Sequence, residues 1–129
     1  MADTPQGHLT AAANFLDMAE TYLSEYPAEA VSNAILAAIR AADAVCLARL
    51  GRTSKADDHR EAAKLLEEAF ENTQWADEAK DKAKDFKELL SEKTVVQYHV
   101  QNMTDRRALG LFRKAKGLVE WARDILRSL

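Results

Sequence analysis

Proline is nearly missing from this sequence of 129 residues. There are two, Pro5 and Pro27, so nothing beyond residue 27 carries the ring that breaks a helix. Glycine occurs only 4 times, and Val and Ile are few. So few turn formers and β-branched residues exclude a protein of many short strands. A single cysteine, Cys46, excludes an internal disulfide framework. It sits among Ala44, Val45, Leu47 and Ala48 and reads as a small buried hydrophobe. The longest apolar run, Ala34–Ile39, falls far short of the ~20 residues of a membrane span. Residues 1–8 show no basic region followed by an apolar stretch, so no secretory signal is read there. The expected location is cytoplasmic, with no membrane contact. No CxxC, no histidine pair four apart and no glycine-rich phosphate loop is present. The sequence therefore calls for neither a metal nor a cofactor of the common kinds.

What is abundant is alanine, at 24 residues, together with 30% charged residues. Alanine is the best helix former. The composition is that of a folded, all-α domain, and the length allows one such domain. We take it to span 1–129, with 1–8 as a flexible tail.

Apolar spacing places the helices. Leu9, Ala12, Leu16, Ala19 and Leu23 mark a first helix from about 9 to 25, closed by Tyr26-Pro27. Pro27 opens a second, with Glu29 near its positive end and Gly51 as its stop. This helix holds nine alanines between Ala28 and Ala48 and, between Ala30 and Ala48, only Arg40 and Asp43 as charges. A helix apolar nearly all round is one enclosed by others. Asp58-His59-Arg60-Glu61 reads as the capped start of a third helix, which frays near Asn72-Thr73. A charged fourth helix runs from about Trp75 to Glu92. Lys93 to Asn102, with Val95, Val96 and Val100, reads as a break. The last helix, from about Thr104, carries a seam at Ala108, Leu111, Ala115, Leu118, Ala122, Ile125 and Leu129. That seam packs against the first two helices or against a second subunit. Alanine stabilises less per residue than leucine, at ~0.8 kcal/mol per buried CH2, so burial in a homodimer would offset a weak core.

Three features carry chemistry. Asn33, Arg40 and Asp43 share one stripe of the second helix at ~100° per residue. They are read either as an Arg40–Asp43 pair holding the bundle or as the polar wall of a groove or interface. Lys93, Tyr98 and His99 put a cation and an acid–base group near one another. Residues 94–129 carry 7 positive and 3 negative groups on an otherwise acidic chain, too few for a dedicated DNA binder, and read either as a solvated helix face or as a surface that holds a few phosphates.

The alanine-rich helix Ala30–Val45, the short Gly-led loop, the helix opening at His59 and the basic-to-His segment before a long last helix resemble the HEPN superfamily. The likeness covers roughly residues 9–127. It implies a four- to five-helix up-and-down bundle that dimerises. It also implies a metal-independent ribonuclease motif, an Arg and then a His after four to six residues, meeting at the dimer cleft. Some members pair with a nucleotidyltransferase antitoxin as toxin–antitoxin systems. On this sequence His99 takes the histidine's place as catalytic acid–base group, and Lys93 stands for the arginine. Lysine keeps the charge but loses the two-pronged grip on phosphate. Arg52 and His59 also have the spacing, but in the loop after the second helix.

Three functions remain open from the sequence. One is an active HEPN ribonuclease or toxin, with His99 and Lys93, helped by Arg40, at the phosphate. The second is a motif-degenerate module that binds RNA, a nucleotide or a protein partner. The third is a plain helical interaction protein. Lys93 in place of arginine favours the second.

Overall fold

The computed structural model describes residues 3–54, 59–98 and 103–129. Among these residues there are five helices and no strand: α1 (Pro5–Tyr22), α2 (Pro27–Leu50), α3 (His59–Glu68), α4 (Ala76–Tyr98) and α5 (Asp105–Ser128).

The chain turns helical earlier than its tail-like start suggests. Thr4 caps α1, its Oγ1 accepting from the Gly7 amide at 2.9 Å. Pro5 occupies the first turn, where its missing N–H costs nothing. Residues 5–8 are therefore helix rather than flexible tail, and His8 is buried on its inner face. Tyr26 and Pro27 then open α2 after a four-residue link, which makes α1 and α2 antiparallel neighbours. Gly51 ends α2 in the left-handed conformation at φ 71°, with its amide bonded to the Leu47 carbonyl.

A second departure concerns Lys93 to Asn102. The helix continues through Tyr98 instead of breaking at Lys93. Val95 and Val96 each cost a helix only a few tenths of a kcal/mol, and no Pro or Gly stands in α4 to stop it. Residues 99–102, His99 included, lie outside the described residues.

α2 is the hub and touches each of the other four helices. Its alanines at 30, 34, 37, 38, 41 and 44 are buried completely or nearly so, and their small side chains let neighbouring backbones come close. By length and composition α2 would also cross a membrane, but here most of that stretch is covered by the other helices. Cys46 is part of this interior, and burial, followed by the charge of Asp43, pushes its thiol up to about 12. All of the α5 seam but its last residue is spent inside the chain: Ala108, Leu111, Ala115, Leu118, Ala122 and Ile125 are buried while Leu129 is exposed, and α5 packs on α2, α1 and α4. At the far end Phe70, fully buried, meets Trp75 and Trp121 edge-on at 6.2 and 5.2 Å between ring centroids. The Arg49 guanidinium lies over the same ring and donates to the Ala69 carbonyl at 3.1 Å.

Candidate functional site

The polar stripe of α2 does not act as one unit. Asn33 turns back on its own helix, its Nδ2 donating to the Glu29 carbonyl at 3.0 Å. Arg40 and Asp43 do not form the ion pair that the sequence suggests. Arg40 reaches across to α1 instead, and its NH1 lies 3.1 Å from His8 Nδ1. Guanidinium has no acceptor, so Nδ1 must accept, and the imidazole is then neutral with its proton on Nε2. That Nε2 makes no hydrogen bond. Its nearest partner is the exposed Asp3 carboxylate, 3.4 Å away.

Asp43 completes the group. It is half-buried and makes no hydrogen bond or ion pair among the described residues. Burial raises its carboxyl to about 6; His8 and Arg40 draw it down and Asp3 pushes it up. So α1 and α2 bring His8 and Arg40 together, with Asp3, just ahead of α1, beside His8 and with Asp43 in the field of all three. Arg40 and Asp43 were legible in sequence. His8 was not, because it matters only once residues 5–8 are helical; Thr4-Pro5 was the signal for that.

Of the second predicted pair, His99 lies outside the described residues. Lys93 is exposed on α4 and has no ion pair or hydrogen bond among the described residues. Tyr98 is the last residue of α4. Arg40, the expected helper at phosphate, is engaged by His8. Arg52, of the alternative spacing, pairs with Glu68 at 3.1 Å.

The basic last quarter of the chain resolves into one helix with two kinds of cation. Arg107 pairs with the buried carboxylate of Glu92, and Lys114 with Glu88, which lashes α5 to α4. Arg106, Arg113, Lys116, Arg123 and Arg127 make no hydrogen bond or ion pair among the described residues. Glu120 and Asp124 share the outer side of α5 without coming within ion-pair distance of them.

Set against known proteins, the chain matches no family model, no curated protein and no solved structure.

Proposed function

We propose that this protein is a HEPN-like helical module that holds single-stranded RNA through its last helix without cutting it, and does so as a homodimer. The observation that carries this is the set of unpaired cations on α5, in a chain whose formal net charge is −3. The outer side of α5 sets these five cations against Glu120 and Asp124 and keeps a net positive charge, a local field that attracts phosphate on an acidic protein. Two features argue for binding over cleavage. Lysine at position 93 lacks the fork that grips a phosphate in the transition state. Arg40 already spends a nitrogen on His8.

The test is incubation of the purified protein, and of a His99→Ala variant, with mixed RNA in the presence of chelator. The expected result is RNA that stays full length with both proteins and migrates with the wild type on a native gel. Sedimentation of the same sample is expected to give twice the chain mass of 14.4 kDa. Cleavage by the wild type that disappears in the variant overturns the reading in favour of a ribonuclease.

A further inference from the structure

A groove runs between the N-terminal half of α1 and the C-terminal half of α5, on the far side of the bundle from α3. One wall carries Gln6, Thr10 and Asn14, and the other Arg123 and Arg127. Both sets have the four-residue spacing that stacks side chains on one helix face. Leu9 and Leu126 belong to the same lining. The walls differ in kind. The α1 wall offers amides and a hydroxyl, which donate and accept, and no carboxylate. The α5 wall offers two guanidiniums with no partner among the described residues. The groove encloses about 360 Å³ and is open to solvent. That is the small end of the range for sites that take one small organic ligand, so it accommodates a single nucleotide unit and not a duplex.

We infer that this groove seats one nucleotide unit of a single-stranded RNA. Arg123 and Arg127 hold its phosphate by charge-assisted, two-pronged hydrogen bonds. Gln6, Thr10 and Asn14 meet the remaining phosphate oxygens and the ribose hydroxyls, whose 2′-OH both donates and accepts. The inference rests on the RNA-binding reading above and adds the site. A free nucleotide presents the same phosphate and ribose, so the test separates the two sources.

Fluorescence anisotropy of a short labelled single-stranded RNA measures binding, with direct titration of fluorescently labelled AMP as a second arm. The variants are R123A/R127A on one wall, N14D on the other, and K80A/K84A on the exposed side of α4 as a charge-matched control. Thermal melts of each variant show that it folds. Wild type is expected to bind. R123A/R127A is expected to lose roughly tenfold or more in affinity, and its plot of log affinity against log salt to flatten by about 0.7, the slope of the one phosphate that the two guanidiniums hold. N14D puts an anion beside the phosphate and is expected to weaken binding as well; the control stays close to wild type. Wild-type RNA binding that R123A/R127A leaves intact, or that K80A/K84A weakens equally, overturns the groove while the RNA-binding reading stands. Binding of AMP dependent on Arg123 and Arg127, with no binding of RNA, keeps the groove as a free-nucleotide site and overturns the RNA reading. Binding of neither overturns both.

Discussion

Arg40 and Asp43 sit three apart on an otherwise apolar helix, which is where charge usually finds its partner on the same helix. Here His8 takes the arginine, and the carboxylate is left half-buried without a hydrogen bond. The consequence is a measurable pH dependence. The carboxyl lies at about 6 in the folded chain against an ordinary 3.8. Between these values the folded state binds more protons than the unfolded state, so the contribution of this residue to stability falls as pH rises from about 4 to about 6. Above about 6 the cost of the ionised carboxylate is present in full. Asp43→Asn removes the titration. The melting temperature of the variant, compared with wild type, is expected to rise between pH 4.5 and pH 7, and parallel curves for the two proteins would refute this. At this scale the sequence was informative about which residues were unusual and silent about whom they meet. The His8 contact spans 32 positions and two helices, and no periodicity encodes that.

Single helices were legible to within a few residues wherever an end is set by local chemistry. Gly51 is the clear case. It stands at φ 71° with open space where a Cβ would go, so the cost of a side chain there is conformational and not steric. Gly51→Ala is expected to lower unfolding free energy by about 1 kcal/mol, read from denaturant midpoints with an unchanged slope. A loss near zero would mean that the end of α2 is set by something else. The start of α1 was encoded just as locally, in Thr4 and Pro5, but the apolar stripe beginning at Leu9 drew the boundary inward. The end of α4 was misread for a different reason. β-branched residues signal strand or loop in isolation, and here they are carried in a long helix that also buries Phe86, Leu89 and Leu90. Propensity is weak beside such packing.

For the molecule as a whole, the scarcity of proline and the surplus of alanine foretold an all-helical chain, and the alanine-rich second helix foretold its hub. The partition of charge was visible as well. What the sequence did not show is which cations of α5 are spent internally. Arg107 and Lys114 look no different from their neighbours in one dimension, yet they bind α4, while Arg123 and Arg127 face α1 across an open groove. That division is the basis of the RNA-binding proposal, and it also bounds the electrostatics. Five cations on α5 have no partner among the described residues; with Arg123 and Arg127 sharing one phosphate they hold at most four, so at ~0.7 per phosphate of a single strand the salt slope per chain is at most about 2.8. The decisive measurement is the anisotropy of a labelled single-stranded RNA titrated with wild-type protein over a series of salt concentrations. Binding that weakens steadily with salt, with a slope between about 0.7 and about 2.8, is the predicted result. No binding at the lowest salt, or binding indifferent to salt, would contradict the account.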